Sequence, residues 1–373
     1  MYDLIFHYLY SLLSGFAESI DENMRPIKKG DWESLISFCL QIIKLGKKIP
    51  DGQYDYETNI HNAWLGRWNA VCSETENLLK KILSAKVKEL GFEWKSHRQD
   101  ILLIIEYFLN YPDPIPEDEK IESAKMTESI GNQNPLVSDP FTLAINSIRG
   151  QAFELFVKTV ELDTENNNSS ETIEIPADLK NMYEHLLSKE DTRAIMFMFG
   201  YYLPSFFYRD TNWLKSNLSK IFPSETGKEY LYLAAWEGYL TNNLYREIFL
   251  DEEFQKLYKQ AIELTEKDYP NQKHFTNPDG GLAQHFALAY IHFNFIFGNE
   301  LFDYFWETGI MDQHIAFVDR LGRSFITSEN PEILKLINED KNVRKKLIHL
   351  WCWLLEKNQD PQVFKEIGFW VNL

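Results

Sequence analysis

Throughout this chain apolar residues recur at spacings of three and four, and no run alternates apolar with polar residues long enough to require a strand. That periodicity puts one apolar stripe on each helical segment, and a helix must bury its stripe against another element. Helices are expected over Tyr2–Ser19, Asp31–Leu45, Tyr56–Leu90, Ser96–Asn110, Asp139–Leu162, Pro176–Leu187, Asp191–Phe207 and Thr211–Ile221. They continue over Thr226–Tyr239, Leu244–Leu264, Pro278–Phe297, Leu301–Thr308, Met311–Ile326, Pro331–Asn338, Val343–Glu356 and Pro361–Trp370. Asp31, Asp191, Thr211, Asn330 and Asp360 stand where capping residues would start several of them. Short breaks favour antiparallel helix pairs stacked side by side, yet no repeat recurs at a fixed period. The expected fold is all-α, an irregular α-solenoid.

The segment Asp139–Leu162 organises the rest. Asp139 suits an N-cap, Pro140 suits the first helical position, and Phe141, Ile145, Ile148, Ala152 and Leu155 share a face. Asn146 and Arg149 are three apart and therefore neighbours on a helix surface. Gly150 sits mid-helix, where glycine costs about 1 kcal/mol relative to alanine, so another backbone is expected to pass close by. One reading is a core helix with a tolerated glycine. The sharper one makes Arg149 and Asn146 a polar anchor that satisfies loop carbonyls of a neighbouring helical pair.

Polar segments flank this helix: YPDPIPEDE at 111–119 and DTENNNSS at 163–170. They suggest an N-terminal helical region over 1–120, a central helix with its linkers over 121–175, and a C-terminal helical repeat region over 176–373. The two longest uncharged stretches, Ala194–Tyr208 and Gly280–Asn299, are too short or too polar for a bilayer and read as buried helices. The apolar N-terminus lacks a basic region and reads as a helix rather than a signal peptide.

The chain of 373 residues carries 38 Lys and Arg against 56 Asp and Glu, a net charge of -18. That balance repels phosphate backbones and argues against direct nucleic-acid binding, while it suits a basic protein partner. Cys39, Cys72 and Cys352 form no CxxC pattern, which points to a reducing, cytoplasmic setting and to inert buried thiols.

Four constellations could carry chemistry. Asp279-Gly280-Gly281 opens a helix that could attract an anion, but a turn-and-cap role explains it more simply. His285 and His292 are seven apart, two turns along one face and too distant to share an ion, so both read as core or interface histidines. Pro112-Asp113 with Asp118-Glu119-Lys120 mimics a nuclease PD…DxK set, although in a proline-rich loop rather than on a strand framework. Aromatic clusters at Phe197–Tyr208, Trp236–Tyr245, Phe293–Trp306 and Trp351–Trp353 are mainly core, with some members free to line a groove. No catalytic, cofactor-binding or metal-ligating residue is assigned.

Four segments in order, Asp139–Phe156, Leu233–Phe249, Leu282–Phe293 and Phe317–Phe325, resemble the C-terminal, TPR-like sensor region of AVAST-type antiviral STAND NTPases. The resemblance implies recognition of a phage protein, the large terminase subunit or the portal, by a sensor joined to an NTPase module and an effector. This chain contains no Walker motif, so it implies the sensor part of a longer protein or a free-standing relative. It implies no enzyme activity, cofactor, membrane or nucleic-acid contact of the chain's own. A general interaction or oligomerisation scaffold fits the same features.

Overall fold

The computed structural model describes residues 2–21, 29–49, 67–84, 91–116, 119, 139–166, 174–264, 274–293, 295–326, 330–333, 335, 340–357 and 361–365. Among them every regular element is helical, and no strand occurs. The N-terminal helices are α1 (Tyr2–Asp21), α2 (Lys29–Gly46), α3 (Trp68–Ile82) and α4 (Trp94–Leu109). Two follow as α5 (Pro140–Asn146) and α6 (Ile148–Asn166), then α7 (Ala177–Lys189), α8 (Arg193–Tyr201), α9 (Leu203–Ile221) and α10 (Glu229–Leu240). The remainder are α11 (Arg246–Phe249), α12 (Glu252–Glu263), α13 (Pro278–His292), α14 (Glu300–Thr308), α15 (Met311–Leu321), α16 (Lys341–Glu356) and α17 (Pro361–Lys365). None is long and apolar enough to cross a membrane, among the described residues.

The helices stack in two rows, as in an α-solenoid. One row runs α6, α8, α10, α13, α15, each helix packed on the next. The other pairs α7 with α9 and α12 with α14. At the near end α6 also packs on α3 and α4, so it touches both the N-terminal and the C-terminal helices. The α8–α10 contact is the tightest. Gly200 faces the carbonyl of Ala235, Gly238 faces the carbonyl of Phe197, and a Cβ on either would overlap that backbone. Small residues on both partners let two backbones meet where larger side chains would hold them apart.

The expected long helix over Asp139–Leu162 is two helices. Ser147 adopts extended backbone (φ -101°, ψ 151°) and separates α5 from α6. Asp139 does cap α5, accepting from the Thr142 N–H at 2.7 Å. The glycine expectation holds in a specific form: a Cβ on Gly150 would overlap the Ala144 carbonyl oxygen, because α5 folds back against the first turn of α6. The break also rotates the apolar stripe. Ile148, Ala152 and Leu155 are buried, whereas Ile145 lies on the solvent side, 46 % exposed.

Other boundaries shift for local reasons. The helix expected over Asp191–Phe207 ends at Tyr201, and Pro204 lies in the first turn of the next. That next helix kinks at Asp210 (φ -158°, ψ 79°), whose carboxylate accepts from the Trp213 N–H at 2.9 Å and so caps the distal half. The cap is Asp210 rather than Thr211. The stretch Leu244–Leu264 is divided by Asp251, which caps α12 through the Glu253 N–H. At the end of α15 the chain widens into a π-helical turn, Gly322–Ile326. Much of the segments expected at Tyr56–Leu90, Pro331–Asn338 and Pro361–Trp370 lies outside the described residues.

Candidate recognition groove

Polar side chains lock α4 antiparallel to α6 at both of its ends. At one end Asp163 of α6 accepts from Trp94 Nε1 at 2.6 Å and from Arg98 Nε at 2.7 Å, and Arg98 also pairs with Asp178 of α7. At the other, Arg149 donates from Nε to the Leu109 carbonyl at 3.2 Å and from Nη1 to the Pro114 carbonyl at 3.0 Å. Its Nη2 pairs with Glu190, whose side chain is fully buried. Glu190 in turn accepts from the Thr192 N–H at 2.9 Å, just before α8. One guanidinium thus ties the end of α4, the loop after it and the start of α8. The polar-anchor reading is right for Arg149 and wrong for Asn146. Asn146 is exposed and its amide only returns to the Thr142 carbonyl within α5, at 2.8 Å, since the break at Ser147 turns it away.

The letters of the nuclease-like set become helix caps. Asp113 accepts from the Ile148 N–H at 3.3 Å, and Glu119 accepts from the Ala194 N–H at 3.1 Å. Burial pushes the Glu119 carboxyl up to about 7, against the lowering pull of Arg193 and the backbone donors. Asp118 and Lys120 lie outside the described residues.

The two histidines part company. His285 is fully buried on α13: its Nδ1 accepts from the Tyr258 hydroxyl at 2.7 Å and its Nε2 donates to the Asn242 carbonyl at 3.2 Å. Burial lowers its pKa to about 4, so the ring is neutral in a chain of hydrogen bonds that continues to Tyr239. His292 is exposed, its ring edge against Phe325. Asp279 is buried and accepts from Gln313 Nε2 at 2.7 Å, while Asn277 caps α13 through the Gly280 N–H. Asp279-Gly280-Gly281 is therefore packing and turn. Cys39 and Cys72 are buried, and burial pushes the Cys39 thiol up to about 12. Cys352, expected buried, is exposed, because α16 turns that position outward. No group of His, Cys, Asp and Glu among the described residues is placed to hold a metal ion.

The aromatic clusters mostly form core, but one opens to solvent. The α8–α9 turn, the kink in α9 and the turn after α10 enclose a groove of about 630 Å³ whose lining includes Tyr201, Tyr202, Phe207, Tyr208 and Tyr245. The kink at Asp210 is held by Lys180 at 2.7 Å and by the Ile175 N–H at 3.2 Å, beside the outward turn of Tyr208. The opposite wall is set by Asn242, whose amide donates to the Tyr201 carbonyl at 2.8 Å and the Gly238 carbonyl at 3.2 Å. Tyr208 is 71 % exposed and Tyr245 45 %, large aromatic surfaces left in water. The charged lining is Glu161, Glu247 and Arg209. Arg209 is largely spoken for: its guanidinium stacks over Tyr208, donates to Ser205 Oγ at 3.2 Å and faces Glu161 at 3.6 Å. Burial, with Glu154 and Glu161 nearby, raises the Tyr202 hydroxyl above its ordinary pKa, so it is a neutral hydrogen-bonding group. The groove thus presents aromatic faces, the neutral Tyr202 hydroxyl and two carboxylates, of which Glu161 also pairs with Lys158 at 2.9 Å. Such faces attract cations, and such rings supply most of the binding energy at protein interfaces.

Sequence reasoning named this cluster but missed the residues that shape it, Asp210 and Asn242. For Asp210 a signal was present, an Asp three residues before Trp213 in a polar break. The chain matches no protein-family model, no curated protein and no solved structure.

Proposed function

We propose that this chain is a protein-recognition module that takes a basic segment of its partner into the tyrosine-lined groove. The observation that carries the reading is the exposure of Tyr208 at the bend of α9 and of Tyr245 after α10, beside Glu161 and Glu247. Aromatic rings with few rotatable bonds bind with little loss of entropy, and carboxylates beside them select Lys and Arg over acidic side chains. The net charge of -18 steers a basic partner toward the surface. In the finer form of the proposal, the module is the sensor of an antiviral STAND NTPase, and its partner is a phage large terminase subunit or portal. That form rests on the four sequence segments named above, which contribute to α5–α6, α10–α11, α13 and the end of α15 with its π-helical turn.

The test is co-purification with terminase and portal subunits, using the chain and its Tyr208→Ala/Tyr245→Ala variant. Retention of either subunit by the native chain and its loss in the variant is the expected result. Failure to retain either subunit would remove the antiviral form. Retention that survives the double substitution would remove the groove.

A further inference from the structure

A second surface has the opposite character. Clefts of about 540 and 590 Å³ lie on either side of the C-terminal turn of α4 and share Glu106, Asn110, Tyr111 and Pro112. With that turn as their common wall they make a two-part groove, from the end of α2 to α4 and from α4 to α7. Its floor is apolar: Leu40 and Leu103 on one side, Met182 and Leu186 on the other. Leu103 is 44 % exposed. Its charged lining is Lys44 and Lys47 from the end of α2, Arg149 at the base and Lys189 from the end of α7, with His185 beside Lys189. Among the described residues Glu106 is the one acidic lining residue of either cleft, in a chain where acids outnumber bases by 56 to 38.

We propose that this groove binds an acidic peptide segment with apolar anchors, contributed by another protein. Lys44 and Lys189 each sit in the last turn of a helix, where the helix end favours a cation. That explains each lysine separately. It does not explain why two helix ends converge on one apolar floor with a third lysine and an arginine. The Arg149 fork is occupied by Leu109, Pro114 and Glu190, so it contributes field rather than a fresh bidentate contact. Lys44 and Lys47 have no ion-pair partner among the described residues, and both are exposed. The cations stand on separate helices on either side of apolar side chains, which suits carboxylates spaced along a peptide. A phosphate group would need donors gathered around one point. Opposite charge at the rim speeds encounter and selects the partner, while buried apolar anchors hold it.

The inference is independent of the tyrosine groove, and one experiment separates the two. Fluorescence anisotropy would follow a short labelled peptide of leucines and glutamates at helical spacing, beside its lysine-for-glutamate counterpart and phosphatidylserine vesicles. The acidic peptide is expected to bind, and added salt to weaken it. Lys44→Glu/Lys47→Glu should weaken it about tenfold with the helical circular-dichroism signal intact. Leu103→Asp should weaken it as well, and Tyr208→Ala/Tyr245→Ala should leave it unchanged. Absence of acidic-peptide binding would overturn the proposal, as would equal binding of the basic counterpart. So would an affinity indifferent to lysine reversal, or binding of the vesicles in place of the peptide.

Discussion

The α4–α6 seam and the α8–α10 seam bring two helices together by opposite means. In the first, Asp163 and Arg149 tie the helix ends through buried hydrogen bonds, and the distance between the helices is set by polar reach. In the second, Gly200 lies against the Ala235 carbonyl and Gly238 against the Phe197 carbonyl, so the two backbones touch. A polar seam fails when one partner is left unpaired in the interior. A close-packed seam fails when anything is added. The two therefore respond to different substitutions.

The largest effect is expected at the close-packed seam. In an open helical position, Gly→Ala stabilises by about 1 kcal/mol through helix propensity. Gly15 in α1, with nothing near where its Cβ would sit, should behave so. Gly200→Ala should reverse the sign and lose about 4 kcal/mol, because the methyl would strike the Ala235 carbonyl rather than a movable side chain. Urea denaturation of both variants checks it; a stabilised Gly200→Ala would mean that α8 and α10 stand further apart.

At the polar seam, Arg149→Ala should cost about 3 kcal/mol. The loss comes from stranding the buried Glu190 carboxylate and two carbonyls rather than from the arginine's own contacts. The double variant Arg149→Ala/Glu190→Gln should recover part of that loss, a coupling that a thermodynamic cycle measures. A cost below half a kcal/mol for Arg149→Ala would place the guanidinium in solvent.

Two buried groups outside these seams titrate in opposite senses. His285 on α13 has its folded pKa lowered from 6.5 to about 4. Its contribution is fully present above pH 6.5 and is lost as pH falls toward 4, because the unfolded chain takes up the proton first. Glu119 at the start of α8 has its folded pKa raised from 4.5 to about 7. Its contribution is present below pH 4.5 and is lost as pH rises toward 7. Between pH 4.5 and 6.5 the two slopes oppose each other. Glu119→Gln should therefore make stability rise more steeply with pH across that window. His285→Asn should make it rise less, or fall. Each variant should depart from the wild type by about 2 kcal/mol across the window, in opposite directions, so the two should diverge by about 4 kcal/mol from one end to the other. Parallel pH profiles for the two variants would contradict this.

What could be read from sequence follows the same division. Helical periodicity exposes apolar stripes, so the all-α architecture was legible, as were the Asp139 cap and the close approach at Gly150. The break at Ser147 was not, because Ser147 and Asn146 are tolerable inside a helix and only the fold-back of α5 rules one out there. Arg149 was recognisable as an anchor from a cation interrupting an apolar face. Its partner Glu190 was not, being distant in sequence and ordinary in context. The groove was half legible: aromatic composition marked Phe197–Tyr208, while the exposure of Tyr208 depends on a kink whose cap the sequence reading placed one residue late.

The smallest expected effect on stability decides most about function. Tyr208 projects from the bend of α9, and its ring touches the fold mainly through Arg209 stacked over it. Tyr208→Ala should therefore change stability by less than about half a kcal/mol, the usual range for an exposed site. If Tyr208 is a binding anchor, the same substitution should weaken partner binding by about tenfold or more, as aromatic truncation does at interface centres. Tyr208→Phe keeps the ring and removes the hydroxyl, so it should retain most of the affinity if ring faces carry the recognition. Calorimetry of the three proteins against one partner separates fold from function at this position. A Tyr208→Ala protein that is markedly destabilised would make the ring part of the α9 bend, and equal affinity in all three would leave the exposed tyrosine without a role in recognition.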